Sequence, residues 1–205
     1  PVGEHDDQID ALATVVRELP RLGGQGVTGL DVRELVVERE AAESLRFGEI
    51  GGHLYRVGDG VAIVVARKLQ RVWTVIHTAW LEHYGEADLH AELARFNTYY
   101  GVHVTEATGR QLRQQGGAKT IDVHRNRPPE DWAQLRSHLK DGNVQILTGC
   151  ADLAHALRAA RFEGERVVEA PLAAAFRLLL ANWQDVALRG GPSRRPRPIK
   201  VIRSV

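Results

Sequence analysis

The tightest constraint on the fold is the run from His53 to Trp80. His53-Leu54-Tyr55-Arg56-Val57 leads into Gly58-Asp59-Gly60, then Val61-Ala62-Ile63-Val64-Val65-Ala66-Arg67. Lys68-Leu69-Gln70 interrupts, and Arg71-Val72-Trp73-Thr74-Val75-Ile76-His77-Thr78-Ala79-Trp80 resumes the pattern. Asp-Gly between two β-rich runs is a hairpin signal, because both residues tolerate the left-handed backbone of a two-residue turn. Three such runs predict an antiparallel meander. The middle strand is nearly all apolar, as expected of a strand covered on both faces.

The flanking chain alternates. Residues 86–99 predict a helix with Leu89, Leu93 and Phe96 on one face and Gly101 as its terminating glycine. A short strand over 102–108 and a polar helix over 109–115 follow, the latter ended by Gly116-Gly117. Lys119–His124 reads as another strand. Pro128-Pro129-Glu130-Asp131 opens a helix, with proline and acids in its first turn. Asp141-Gly142-Asn143 turns the chain into a strand over 144–147, and Ala- and Leu-rich helices follow over 151–161 and 169–188. Upstream, Arg33–Glu38 fits a strand running into a short helix, and periodicity leaves the choice open. The expected architecture is α/β: a mixed sheet with an antiparallel three-strand meander and flanking helices. The expected division is an N-terminal acidic helix (1–20), a linker with strand or helix (21–44), an α/β core (45–189) and a basic Pro/Arg tail (190–205).

The 205 residues carry a net charge of +1, so any polyanion contact must come from local clustering. The single cysteine, Cys150, rules out an intrachain disulfide and fits a reducing, cytoplasmic compartment. No apolar run reaches membrane-spanning length. No Gly-Lys phosphate loop is present, so the chain has no ATPase signature.

The chain opens with Gly3-Glu4-His5-Asp6-Asp7-Gln8-Ile9-Asp10-Ala11-Leu12-Ala13. Ile9, Leu12, Val15, Val16 and Leu19 give an amphipathic helix that Pro20 ends. Asp6 or Asp7 can cap it, and Asp10 lies three and four residues on, so the three carboxylates can share one face. Capping alone accounts for acids in a first turn. An oxygen-rich cluster is also what Mg²⁺ or Mn²⁺ prefers.

His5-Asp6-Asp7-x-x-Asp10-Ala11-Leu12-Ala13 resembles the closing motif of the nuclease domain in the large terminase subunit of tailed phages. That domain has an RNase H/RuvC-like fold and cuts DNA with two metal ions. In that family the motif comes last; here it comes first. The resemblance extends more loosely over 53–148. It implies a first acid in the meander, where Asp59 is the candidate, and a second at the end of a later strand, where Glu106 precedes Gly109. The later segment corresponds to Lys140–Ile146. The implied catalytic set is Asp6, Asp7, Glu106 and Asp59; the implied ligands of Mg²⁺ or Mn²⁺ are Asp6, Asp7, Asp10 and Glu106. The implied partners are double-stranded DNA and other subunits of a viral packaging or capsid assembly in the host cytoplasm, with no membrane. An inactive relative that binds DNA fits the same pattern.

Other residues support other chemistry. Arg110, Arg113, Lys119, Arg125 and Arg127 follow Glu106, and the tail adds Arg194, Arg195 and Arg197; all suit sequence-independent phosphate contact. A non-catalytic viral or mobile-element structural protein could use that tail for DNA or a partner subunit. A small metal-independent ribonuclease would use His77 as acid or base. His103 and Glu106, three apart on one strand, would face opposite ways. Cys150 sits where a helix start could lower its pKa, but with no matching His/Asn motif a small core residue is the better reading.

Overall fold

The computed structural model describes residues 36–37, 48–163 and 166–190. The chain-order elements are β1 (Val36–Val37), β2 (Glu49–Val57), β3 (Gly60–Leu69), β4 (Val72–Leu81), α1 (Glu86–Ala94), β5 (Tyr100–His103), α2 (Ala107–Gly116), β6 (Thr120–Val123) and α3 (Pro128–Lys140). They continue with β7 (Val144–Leu147), α4 (Ala151–Ala159), β8 (Arg161–Glu163), β9 (Arg166–Val168), α5 (Pro171–Ala181) and α6 (Trp183–Gly190). The predicted meander is present as β2, β3 and β4. Its first turn is Gly58-Asp59, closed by the Val57–Gly60 pair, with Gly58 at φ +57°. The left-handed position therefore falls on Gly58, and Gly60 already belongs to β3.

Seven strands form one mixed sheet in the order β1-β7-β4-β3-β2-β5-β6. The β3 strand runs against both neighbours, while β2–β5, β5–β6, β4–β7 and β1–β7 are parallel. Both faces of β3 are covered. Val61, Ile63 and Val65 pack with Leu89 and Leu93 of α1 and Leu112 of α2. Ala62, Val64 and Ala66 pack in a larger layer with Trp132 and Leu135 of α3, Leu153 and Leu157 of α4, Phe176 and Leu179 of α5, and Val186 of α6. No helix among the described residues is long and apolar enough to cross a membrane.

Three expectations change. The helix expected over 86–99 stops at Ala94, and Gly101, expected as its cap, lies inside β5 opposite His53. Tertiary pairing overrides helical periodicity here: Thr98 Oγ1 donates to the Ile50 carbonyl at 2.8 Å and the Gly52 amide to Tyr99 at 3.1 Å. That zips the chain onto β2 and sends Tyr100 and Val102 into the core. The strand expected over 102–108 ends at His103, and Glu106 becomes the N-cap of α2, so His103 and Glu106 share no strand. The helix expected over 169–188 breaks at Asn182, whose amide nitrogen donates to Leu178 and Arg125 carbonyls at 2.9 Å. A two-stranded hairpin, β8–β9, precedes it.

Candidate functional site at the carboxyl edge of the sheet

Strands β2, β4, β5, β6 and β7 all run one way, so their carboxyl ends lie along one edge. In open α/β sheets that edge is where ligands bind. Strand alternation decides which side chains reach it on the α5 face. A side chain at Gly51 would meet Val186 and Leu179, whereas one at Gly52 would meet Tyr100 in the other layer. His53 and Tyr55, in step with Gly51, therefore face α5 and α6. Gly101 of β5 stands beside His53; a Cβ there would come within 2.7 Å of the His53 Nδ1.

His53 is fully buried, and neither ring nitrogen has a hydrogen-bond partner. Burial pushes its pKa down to about 3, and the nearby His103 and Arg177 charges push the same way. Burial raises the Tyr55 hydroxyl, as does the Glu169 carboxylate; Arg177 opposes and Glu106 adds to the rise. His53 and Tyr55 thus lie within electrostatic reach of Arg177, with His103 also acting on His53 and Glu169 and Glu106 on Tyr55, at the carboxyl-edge crevice of the sheet.

The far wall is a closed ion network. Arg177 lies on α5, only 2% exposed. Its Nη2 donates to Glu169 Oε1 at 2.8 Å and its Nε to Glu169 Oε2 at 3.1 Å, a two-pronged contact. Its Nη1 donates to Asn126 Oδ1 at 3.0 Å and Asp131 Oδ2 at 3.3 Å. Each carboxylate is also held from behind. The Trp132 indole donates to Glu169 at 2.7 Å, and Asp131 accepts the Arg127 amide at 2.8 Å and Arg125 Nε at 3.0 Å.

The RNase H-like expectation of divalent ions can be tested on this donor set. Such ions need converging oxygen ligands. The only acid on β2 is Glu49, at its start, accepting from the Trp183 indole at 3.2 Å. The interior position beside β5 holds a neutral histidine. Glu169 and Asp131 already share a guanidinium, whose charge repels a second cation. Among the described residues no three His, Cys, Asp or Glu side chains are grouped to hold a metal. The described side chains do not fit a two-metal centre.

The predicted residues are distributed as follows. Glu106 is exposed at the N-cap of α2, bearing on Tyr55. Asp59 is exposed in the β2–β3 turn, where its charge bears on Tyr84, a residue of the α1–α2 layer. Each acid follows the carboxyl end of its strand, Asp59 after β2 and Glu106 after β5. Asp6, Asp7 and Asp10, with Arg194, Arg195 and Arg197, lie outside the described residues. The five predicted cations divide. Arg110 follows the end of β5, and Arg125 and Arg127 follow the end of β6, all exposed at the carboxyl edge. Arg113 and Lys119 sit at the opposite edge and serve the fold there. Arg113 binds Asp122 at 2.8 Å and the Gly117 carbonyl at 2.7 Å, and Lys119 binds the Phe96 carbonyl at 3.4 Å. His77 is mid-strand in β4, held by Glu92 and packed 5.2 Å from the Phe96 ring. Cys150 is a buried core residue, and burial raises its thiol pKa.

The central residues of the crevice, His53, Asp131, Glu169 and Arg177, escaped the sequence reading. One signal was present: Arg177 is the sole charge in the otherwise apolar Pro171–Ala181 segment. A buried arginine on a core helix implies buried carboxylate partners.

No protein-family model matches the sequence, and no curated protein matches it significantly. Solved structures do match. The phage P22 large terminase nuclease domain superposes with a TM-score of 0.62 at 9% identity, covering 80% of this chain and 95% of that domain. The large terminase of the thermophilic bacteriophage D6E gives 0.60 at 12% identity, covering 78% of this chain and 44% of that one. The bacteriophage SPP1 large terminase nuclease domain, with manganese bound, gives 0.52 at 14% identity, covering 74% of this chain and 96% of that domain. The chain has the RNase H-like fold of large terminase nuclease domains. It spans less than half the length of the D6E protein.

Proposed function

We propose that this chain is a terminase-nuclease-type domain that grips double-stranded DNA along the carboxyl edge of its sheet without cutting it there, as one part of a viral packaging assembly inside the host cell. The carrying observation is the donor set: His53, inside β2, is buried and unpartnered, and Glu169 and Asp131 are already bound to Arg177, where hydrolysis would need free oxygen ligands. The rim supplies the binding chemistry. Arg127 and Arg125 are 74% and 47% exposed, and Arg110 is exposed beside them. Their contacts are to phosphate and carry no sequence information.

The test measures duplex binding by fluorescence anisotropy over a range of salt. Each phosphate-bound cation contributes a slope of about −0.9 in log K against log salt. The double substitution Arg110→Ala with Arg127→Ala is expected to lower the slope by about two. Binding that ignores salt, or no binding, overturns the proposal. Supercoiled plasmid is expected to stay intact in Mn²⁺ or Mg²⁺.

One observation favours a second reading. The Glu106 carboxylate is exposed and makes no capping bond, so it is free to join Asp6, Asp7 and Asp10 around Mg²⁺ or Mn²⁺ as a metal-dependent endonuclease, with Asp59 assisting. Manganese-dependent nicking that Asp7→Ala abolishes would establish that reading and displace the first.

A further inference from the structure

We infer that Arg177 is the resident cation of the buried oxygen cluster of Glu169, Asp131 and Asn126, in place of any divalent ion, and that removing it opens a site for a hard divalent cation built from those three residues. The inference rests on the reading that the carboxyl-edge crevice does not hydrolyse DNA.

The donor chemistry carries it. All three groups around the guanidinium present oxygen: both Glu169 oxygens, Asp131 Oδ2 and Asn126 Oδ1, at 2.8–3.3 Å. Oxygen-only sets are what Mg²⁺, Mn²⁺ and Ca²⁺ select. The oxygens do not depend on Arg177 for their positions. Trp132 on α3 fixes Glu169, and the Arg127 amide and Arg125 side chain fix Asp131. Taking away the guanidinium leaves two carboxylates and an amide oxygen pre-oriented around a gap of charge −2, partly offset by Arg125. His53 supplies an independent sign of a site adapted to a built-in cation. It faces the same layer, is fully buried, has two unpartnered nitrogens, and feels the Arg177 charge.

The experiment uses the full chain and Arg177→Gln, with MnCl₂ as the probe. The variant is expected to unfold at lower temperature and to regain midpoint as Mn²⁺ is added. That recovery is expected to vanish in Arg177→Gln with Glu169→Gln. A folded variant that Mn²⁺ does not rescue, or rescue that survives Glu169→Gln, overturns the inference. Should Arg177→Gln not fold, the wild-type protein decides. Its Trp132 indole N–H resonance is expected to remain sharp in Mn²⁺, because the seat is filled. Broadening that persists in Asp7→Ala overturns the inference; broadening that Asp7→Ala removes overturns instead the non-hydrolytic reading beneath it. The salt slope of DNA binding is expected to be the same in Arg177→Gln, so loss of DNA binding and loss of metal rescue are separable results.

Discussion

Replacing His53 by leucine probes the crevice from its buried side. His53 is fully buried with neither nitrogen bonded, and its pKa is about 3. In the unfolded chain it returns to about 6.5. Between those values the unfolded chain binds more protons than the folded one. The contribution of a neutral His53 is therefore complete above pH 6.5 and is lost as pH falls toward 3. At pH 4.5, two pH units below the unfolded value, the loss is about 2.7 kcal/mol. With an m-value near 2 kcal/mol/M, the urea midpoint falls by roughly 1.4 M between pH 7.5 and 4.5 on this account alone. In His53→Leu that component is gone. The variant also deletes two unpaired buried nitrogens, which is worth about 1 kcal/mol of added stability at pH 7.5. The assay is urea unfolding followed by tryptophan fluorescence at both pH values. Groups that titrate in both proteins, His138 among them, cancel in the difference. If His53→Leu loses as much midpoint as the wild type between the two pH values, His53 is not the buried neutral group described.

Two further substitutions test how the edge is assembled. Gly109→Ala places a Cβ 1.9 Å from the His103 carbonyl oxygen, a backbone atom that cannot rotate away, so α2 must shift off the end of β5. The expected loss is about 3 kcal/mol, read as a lower thermal midpoint, and a midpoint equal to wild type would refute the close packing. Cys150 is 3% exposed with a raised thiol pKa, so iodoacetamide at pH 8 is expected to label it far more slowly than the urea-unfolded chain; equal rates would refute its burial.

Much of the framework was legible because its signals are local. The Gly58-Asp59 turn and the apolar run of Val61–Ala66 specify a hairpin and a doubly covered strand from adjacent residues alone. Pro128-Pro129 with the following acids marks the start of α3, and Asp141-Gly142-Asn143 marks the entry to β7, each within a residue or two. The misreadings came where a local preference was outvoted. Residues 95–101 carry helical spacing, yet Thr98 and Tyr99 bond to β2, and burying Tyr100 and Val102 outweighs extending a helix by one turn.

The crevice belongs to the other category. Arg177 meets Asp131 and Asn126 across 46 and 51 residues of chain, and these contacts exist only once α3 and α5 pack on the same face of the sheet. The same packing divides the run of five cations: α2 crosses from the end of β5 to the start of β6, so Arg110 and Arg113 serve opposite edges. Strand pairing likewise sets His53, a residue with no local signature, against Gly101 and beneath α5. Local propensity depends on neighbours a few positions apart, and the sequence determined the strands, turns and helices on that basis. Which charges are buried, paired or left to solvent depends on distant segments meeting, and only the tertiary structure decided it.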